Sequence, residues 1–487
     1  MAQSLGDAAD FLKSVGRFSV APFINFILGV VAVVLLTRFF SPEVYGAWNL
    51  FNVAANVCVA VVYLGLSEGV LRFAYSLPDG WSMQDLLWKC ILLASGVFLI
   101  FSVAVLLFYD VISICLFHEV SFYRIFLLLV YTFALMLLNF FFVSYYRAMN
   151  LAEPYTIQQV GIQFFSKLFI LAALFVGGST DAVLFFNVGG ILFFLLFCLY
   201  IQRKTIFPKR MDMSYKGFSE TLNFSLASWP SGLLARLSLF LIPFVLAHRM
   251  GAYEVGLYAA TSVFVAVIVV LNNGFMTYWV SFVYKNSETK QKLIVQVHNY
   301  MILCIFSVFS LMIVFQHLIY ILIGAEYQIS RVFFTLVMSD VFFSVFEATT
   351  KQGVALERKS HENAIILLIS LCVQFACAWF LVEPIGVAGA ALATLIAALV
   401  RCLLSTWRGQ KYYCSIENLG KTTVGIVMIL VLALSNWVLA EAYWQELGVI
   451  AIVGATLGIL FRNDIMKAVD ALKQVRNARM RRVHPST

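Results

Sequence analysis

Charged residues are scarce in this sequence. Only 12% of the 487 residues are Asp, Glu, Lys or Arg, whereas 62% are hydrophobic, and the mean hydropathy is +0.92. Soluble globular domains are about half apolar and about a quarter charged. Because so many apolar side chains cannot be buried in one core, the composition excludes an ordinary soluble protein. It predicts a chain for which lipid is the solvent over much of the surface.

The sequence also lacks the patterns that hold metals or nucleotides. The nine cysteines form no CxxC pair and the six histidines have no metal-ligand spacing, so we expect no metal and no cofactor. Gly420-Lys421-Thr422 is similar to the end of a phosphate-binding loop, but Ser415 stands where that loop has its first glycine. No strand pattern precedes it. We therefore expect neither nucleotide binding nor enzymatic chemistry.

What the sequence does contain is a long series of apolar runs. A helix needs about twenty residues to cross the roughly 30 Å apolar core of a bilayer. Fourteen runs approach this length, near 18–38, 46–68, 88–109, 122–143, 156–177, 182–201, 222–247, 256–283, 295–323, 332–352, 364–382, 386–406, 422–440 and 446–461. The sequence therefore predicts an all-α, polytopic membrane protein with about fourteen transmembrane helices.

The basic residues predict an orientation. With a cytoplasmic N-terminus, the cytoplasmic connections and tails hold 27 of the 33 Lys and Arg, the opposite loops hold four, and Lys167 and Arg236 fall inside helices. Positive charge is enriched on the cytoplasmic side of membrane proteins, so we predict that both termini are cytoplasmic. The same placement explains the net charge of +8 without a nucleic-acid partner.

A faint internal repeat predicts the domain organisation. Glu43-Val44-Tyr45-Gly46 follows the first run and Glu254-Val255-Gly256 follows the seventh, at an offset near 210 residues. A parallel six-helix repeat implies two pseudo-symmetric lobes with a cavity between them; chance similarity of apolar sequence is the alternative. We predict one lobe over 1–210, a second over 211–410, two further helices over 411–461 and a basic tail over 462–487. The tail alternates apolar and basic residues, which is typical of an amphipathic helix on an anionic leaflet, although it could also dock a partner.

Two cations stand near the middle of apolar runs. Lys167 lies in the fifth run and Arg236 in the seventh. A cation at the bilayer centre costs roughly 2.5–3.5 kcal/mol on insertion scales, and such residues face water, an anion or a carboxylate. We expect both side chains to face a lumen and bind an anion. The alternatives are a buried ion pair with Asp340, near the middle of the tenth run, or misplaced helix boundaries.

Two further charge couples lie four residues apart, Glu68 with Arg72 and Glu347 with Lys351. Residues four apart share a helix face and can pair, and near a helix end they can also extend to the lipid headgroups. If they are lumenal, they form a cationic entrance for a phosphate group, to which Arg donates two parallel hydrogen bonds. The candidate substrate-binding residues are therefore Arg72, Lys167, Arg236 and Lys351. The candidate ion-coupling residues are Asp340, Glu68 and Glu347.

Several segments resemble one family of membrane proteins. Phe39–Gly46, then Leu64–Leu66 and Arg72–Tyr75, are similar to the start of Wzx-type polysaccharide flippases. Gly251–Ala260 resembles the junction between the seventh and eighth helices of that family, and Tyr146–Asn150 resembles the exit of its fourth helix. The motifs are individually loose, but they occur in the order that the family has.

The resemblance implies the fold of the multidrug/oligosaccharidyl-lipid/polysaccharide (MOP) exporters, which include the MATE transporters. It implies a flippase of the bacterial inner membrane that moves an undecaprenyl-diphosphate-linked glycan to the periplasmic leaflet for O-antigen, capsule or exopolysaccharide synthesis. Membrane lipids, a polysaccharide polymerase and chain-length machinery are the implied partners. Arg72 and Arg236 match positions where the family has a basic residue, but Ser238 stands where an acid often follows.

Two other functions remain open from the sequence. A MATE-type antiporter of drugs or cations would need an acidic lumen, whereas two mid-depth cations stand here against one acid. A membrane polysaccharide polymerase or ligase typically has a large periplasmic loop, and no predicted outside loop exceeds about fifteen residues. The sequence has no ATP-binding motif, so transport would draw on an ion gradient or on consumption of the product.

Overall fold

A computed structural model describes residues 2–77, 80–206, 217–286, 291–357, 359–414, 416, 419–467 and 470. In these ranges every regular element is a helix, which confirms the all-α prediction. The α-helices are α1 Ala2–Phe39, α2 Pro42–Tyr63, α3 Leu66–Phe73, α4 Met83–Leu107, α5 Tyr109–Phe117, α6 Phe122–Leu138, α7 Tyr145–Ala148, α8 Ala152–Ala172, α9 Thr180–Ile206, α10 Phe218–Arg249, α11 Ala252–Asn286, α12 Gln291–Ile321, α13 Phe334–Thr350, α14 Gln352–Leu356, α15 Ser360–Tyr412, α16 Gly420–Val438 and α17 Tyr443–Leu460. A π-helix spans Asn139–Ser144, and 3₁₀-helices span Ala173–Val176 and Ala325–Phe333. Most of the predicted amphipathic tail lies outside the described residues.

The helices are those of a multi-pass membrane protein. In the described ranges, 11 helices are long and apolar enough to cross a membrane, and 12 if the pair α5 and α6, bent by 90°, makes one span. By this measure the described ranges do not confirm the predicted count of about fourteen. One reason is that the predicted runs 364–382 and 386–406 both lie in α15, where Gly386 interrupts the helical backbone with φ 62°. The expected break between these runs is therefore a kink.

The chain divides into two compact units. The first unit comprises Met1–Gly274, Ile321–Ser330 and Leu367–Thr394. The second unit comprises Phe275–Tyr320, Arg331–Ile366 and Leu395–Thr487. The lobe boundaries predicted from the repeat stay a prediction.

Local sequence explains where helices of the first unit begin. Ser41 caps α2 by accepting a hydrogen bond from the Val44 backbone N–H, and Pro42 occupies the first turn, where its missing N–H costs nothing. Ser82 and Asp85 form a reciprocal capping box at the start of α4. These polar caps satisfy backbone donors at the ends of otherwise apolar helices.

The two glycines of the repeat motifs meet in the first unit. A Cβ added to Gly46 on α2 would lie 1.8 Å from the carbonyl oxygen of Ala252, and one added to Gly256 on α11 would lie 1.9 Å from that of Pro42. Only glycine permits so close a backbone approach. The start of α2 and the start of α11 therefore pack reciprocally, each through its own motif glycine.

The core of the second unit has an aromatic part and a polar part. Phe334, Phe342 and Phe346 of α13 are almost completely buried, and α13 packs along α16. The buried carboxylate of Glu446 on α17 accepts hydrogen bonds from Asn436 on α16 and, at 3.2 Å, from Gln316 on α12. This amide–carboxylate cluster joins three helices of the unit, and it satisfies a carboxylate that would otherwise be costly to bury.

Candidate functional site

Two adjoining cavities lie within the first unit. One, of about 410 Å³, is lined by α1, α2, α6 and α8 and contains the side chains of Lys167 and Arg236. The other, of about 250 Å³, is lined by α2, α3, the π-helix and α10. Asn56, Asn139 and Arg236 line both. The structure therefore brings the two predicted mid-depth cations together. We call the two adjoining cavities, taken together, the cationic site.

Both cations lie near the middle of their helices. Lys167 is three residues from the centre of the span Ala152–Val176, and Arg236 is within three residues of the centre of Phe218–Arg249. At 1.5 Å per residue, each is about 4 Å from its span's midpoint along the helix axis. Each charge is therefore placed at a depth where it needs water, an anion or a carboxylate beside it.

No carboxylate in the described residues forms an ion pair with either Lys167 or Arg236. A third cation, Arg147 of α7, also lines the smaller cavity, where Glu68 is the acidic lining residue. Among the described residues that line the two cavities, three basic side chains thus stand against one acid. The electrostatic balance of the cationic site favours an anion.

Asp340, the alternative partner considered for these cations, pairs elsewhere. Arg401 Nη2 lies 2.9 Å from Asp340 Oδ1, and Arg401 Nε lies 3.4 Å from Glu347 Oε2, all within the second unit. Counting only Lys167 and Arg236 as cations inside helices was therefore wrong, because Arg401 lies within α15. Arg401 stands near the end of the predicted run 386–406, so the sequence alone grouped it with the cytoplasmic connection that follows.

The two predicted charge couples differ in the structure. Lys351 Nζ lies 2.9 Å from Glu347 Oε1, so this couple is an ion pair in the second unit. In the described chain no ion pair joins Glu68 to Arg72, and Arg72 is exposed and lines neither cavity. The roles assigned to all seven candidate residues in binding and coupling stay predictions.

Sequence reasoning missed the amides of the cationic site. Asn49, Asn52 and Asn56 recur on one face of α2, and Gln159 and Gln163 recur on α8. Asn52 is held in place, since it accepts a hydrogen bond from Tyr131 Oη at 2.7 Å and donates to the Trp48 carbonyl at 2.7 Å. The three-to-four-residue spacing of asparagines in an apolar helix is the signal that could have identified this face.

The remaining amides are available to a ligand. Among the described residues, the side chains of Asn49, Asn139, Gln159 and Gln163 have no hydrogen-bond partner, although all four line the cationic site. An amide offers two donors and one acceptor oxygen, which suits hydroxyl groups. The site therefore combines positive charge with uncommitted neutral hydrogen-bonding groups.

A π-helix contributes to both cavities. Asn139–Ser144 follows α6 directly, and its residues Asn139, Val143 and Ser144 line the smaller cavity. A π turn inserts one extra residue into a helix and frequently marks a functional site. Here it changes the direction of the side chains between α6 and α7, and Arg147 follows three residues later.

Comparison with solved structures identifies the fold. A lipid II flippase MurJ in an inward closed conformation is similar with a TM-score of 0.67 and 15% identity, over 92% of this chain and 99% of that one. An inward-facing MATE-family multidrug resistance transporter of the MOP superfamily is similar with a TM-score of 0.62 and 14% identity, over 82% and 98%. A MOP-superfamily transporter from Pyrococcus furiosus, whose binding pocket is described as having reverse polarity, gives 0.54 and 14%, over 83% and 96%. At these identities the likeness shows a shared MOP fold.

Sequence comparison identifies the family. No protein with a curated description matches the chain significantly. Residues 11–277, which are more than half of the chain, match the model of a family described as polysaccharide biosynthesis protein. Every residue that lines the cationic site falls in this range. The chain therefore belongs to the polysaccharide biosynthesis protein family and has the membrane-embedded helical fold of the MOP superfamily.

Proposed function

We propose that the protein is a flippase for glycans linked to a polyprenyl diphosphate, which it moves from the cytoplasmic to the periplasmic leaflet of a bacterial inner membrane. The observation that carries this proposal is the cationic site: Lys167 and Arg236, near the middle of their spans, line one cavity without a carboxylate partner in the described chain. Membership of the polysaccharide biosynthesis family supports the same substrate class.

The site suits each polar part of such a substrate. The diphosphate is the most costly part to bring into a membrane, and charge-assisted hydrogen bonds from Arg236 and Lys167 offset that cost. Arg236 offers a planar fork and Lys167 a compact charge. Sugar hydroxyls can exchange hydrogen bonds with the amides of Asn49 and Gln163. Transport of this kind makes and breaks no covalent bond, so no catalytic group is required.

Alternating access is the mechanism that we propose with this fold. The site opens to one leaflet, takes the head group, and then opens to the other. The proposed substrate has undecaprenyl as its lipid and an O-antigen, capsule or exopolysaccharide repeat as its glycan. Asp340, Glu68 and Glu347 are the proposed ion-coupling residues. Association with a polymerase and chain-length machinery would follow from the same role.

A drug or cation antiporter is the second candidate, because the chain shares its fold with MATE transporters. Glu68 in the smaller cavity is the feature that favours it. Arg147 and Arg236, the two cations that line the same cavity as this carboxylate, argue against a cationic cargo, since like charges repel strongly where water is scarce. Binding of a lipophilic cation, measured beside binding of diphosphate, separates the two functions.

Reconstituted protein tests the proposal. In proteoliposomes with a fluorescent, polyprenyl-diphosphate-linked oligosaccharide, we expect wild-type protein to expose the glycan to an external quencher. Lys167→Ala and Arg236→Ala should each lower the rate by about tenfold or more, since a charge-assisted hydrogen bond contributes about 1.5–3 kcal/mol.

Lys411→Ala is the matched control, because Lys411 is an exposed cation outside the cationic site. Rates equal to wild type in both Lys167→Ala and Arg236→Ala would remove the cationic site from the mechanism. Failure of the wild-type protein to move the glycan, together with transport of a lipophilic cation, would favour the antiporter.

A further inference from the structure

An apolar groove runs along the first unit between α1 and α8, beside the cationic site. Its volume is about 180 Å³. Eight apolar side chains line it, and six of them do not line the cavities of the cationic site: Leu28, Val31, Leu35, Phe164, Leu168 and Leu171. We call this feature the α1–α8 groove. It opens at the surface of the unit, since Val31 is 49% exposed and Leu168 is 46% exposed.

Among the described residues, Lys167 is the one charged residue that lines the α1–α8 groove, and it also lines the larger cavity of the cationic site. Ala32 and Leu36 are likewise shared by the groove and the cavity. The apolar α1–α8 groove and the larger, polar cavity therefore adjoin at the ammonium group of Lys167. This juxtaposition is complementary to an amphiphile whose anionic group is joined directly to a hydrocarbon chain.

We propose that the α1–α8 groove binds the first isoprene units of the polyprenyl chain, while Lys167 binds the diphosphate to which that chain is attached. This inference rests on the proposed flippase function and adds a subsite to it. The wall residues of α1 extend from Leu28 to Leu36, which is about 12 Å of helix. That length fits a short part of a prenyl chain, and the rest of the chain lies in the surrounding bilayer.

An ordinary membrane lipid fits this arrangement poorly. The headgroups of a bilayer lie about 15 Å from its centre, because the apolar core is about 30 Å thick. Lys167 is three residues, or about 4.5 Å, from the centre of its span. A phospholipid in the groove could not place its phosphate on Lys167 without leaving the headgroup layer. A transport substrate, whose head group enters the protein, can.

Binding measurements on the full-length protein in detergent test the groove. The ligands are farnesyl diphosphate, which has a prenyl chain, and inorganic diphosphate, which has none. We expect wild-type protein to bind farnesyl diphosphate more tightly, because the chain gains apolar contact. Val31→Trp and Leu168→Trp, which fill the groove, should weaken binding of farnesyl diphosphate by about tenfold or more and leave that of inorganic diphosphate unchanged.

Leu99→Trp and Ile100→Trp are the matched controls, because both residues are apolar and exposed on α4 of the same unit, at 66% and 73%. They should leave both affinities unchanged. Equal wild-type affinity for the two ligands, or groove variants that bind farnesyl diphosphate as tightly as wild type, would overturn the groove proposal and leave the flippase proposal standing. Failure of wild-type protein to bind either ligand would overturn both.

Photolabelling of the wild-type protein gives a second readout that does not depend on variants. A farnesyl diphosphate analogue with a diazirine on its chain should label peptides that contain 28–36 and 164–171. An excess of inorganic diphosphate should reduce this labelling, because it competes for Lys167. Labelling spread equally over α4, or insensitive to diphosphate, would show contact with lipid-facing surface alone and would contradict the proposal.

Discussion

At the scale of single residues, neighbouring asparagines of α2 have different surroundings. The amide of Asn52 donates a hydrogen bond to the Trp48 carbonyl and accepts one from the Tyr131 hydroxyl, at 2.7 Å each. Asn49, one turn earlier, lines the same cavity and has no hydrogen-bond partner in the described chain. An amide with protein partners orders the wall of a cavity, whereas an amide without them is available to what the cavity binds. We therefore expect Asn52 to contribute to stability and Asn49 to contribute to ligand binding.

We expect Asn49→Ala to weaken binding of a glycan-bearing polyprenyl diphosphate by several-fold and to leave binding of farnesyl diphosphate and the melting temperature unchanged. Loss of one hydrogen bond between the Asn49 amide and the glycan costs about 0.5–1.5 kcal/mol. Asn52→Ala should instead lower the melting temperature, because it leaves the Tyr131 hydroxyl without its acceptor. Ligand titration and thermal unfolding in detergent measure the two effects. Identical behaviour of the two variants would contradict this division of roles.

The residues of the cationic site also show what a sequence can predict. Lys167 and Arg236 were predictable, because a charge in the middle of an apolar run stands out whatever the fold. The amides were missed because neutral polar residues do not interrupt such a run. Arg147 was seen as part of a family motif but not as a lining residue, since its position depends on the π-helix. Which residues share a cavity is a matter of tertiary packing, which hydropathy does not encode.

At the scale of elements, the contact between α2 and α11 depends on two glycines. Gly46 and Gly256 let the backbones approach so closely that a Cβ at either position would overlap a carbonyl oxygen of the other helix. Close backbone contact through small residues is a main source of helix association in membranes, where apolar side chains gain little by leaving lipid. This contact holds α2, the helix with the asparagine face, against the start of α11.

We expect Gly46→Leu to lower the melting temperature strongly or to prevent accumulation of the folded protein, because the two helix backbones must separate to admit the side chain. Gly96→Leu is the matched control, since a Cβ on Gly96 of α4 meets no atom within 4 Å. Thermal unfolding and size-exclusion chromatography of both variants measure the difference. A Gly46→Leu protein as stable as the control would show that the close contact contributes little.

At the scale of the whole molecule, the apolar runs predicted the class of fold, whereas the number of spans is not confirmed by the described helices. Each run falls on a helix, but α15 joins two of them through a kink at Gly386, and α5 and α6 meet at 90°. Hydropathy measures the length of apolar sequence, whereas these bends depend on backbone geometry at one or two residues. The orientation predicted from the basic residues stays a prediction, because it assigns each loop to a side by counting spans.

Cysteine labelling in intact cells measures that orientation. In a variant without the nine natural cysteines, we expect Glu119→Cys to react with an impermeant maleimide added from outside, because residue 119 is exposed and lies in a predicted periplasmic loop. Lys411→Cys, exposed on the predicted cytoplasmic side, should react only after the membrane is opened. The reverse pattern would invert the predicted topology.

The π-helix at Asn139–Ser144 makes the position of Arg147 in the cationic site depend on the geometry of one helical turn. A π turn holds one residue more than an α turn, and one residue of α-helix corresponds to a rotation of about 100°. If this turn tightened to α-helical geometry, the chain beyond it would rotate by that amount, and Arg147 would leave the smaller cavity. The number of cations that line the smaller cavity is thus set by helical register as well as by sequence.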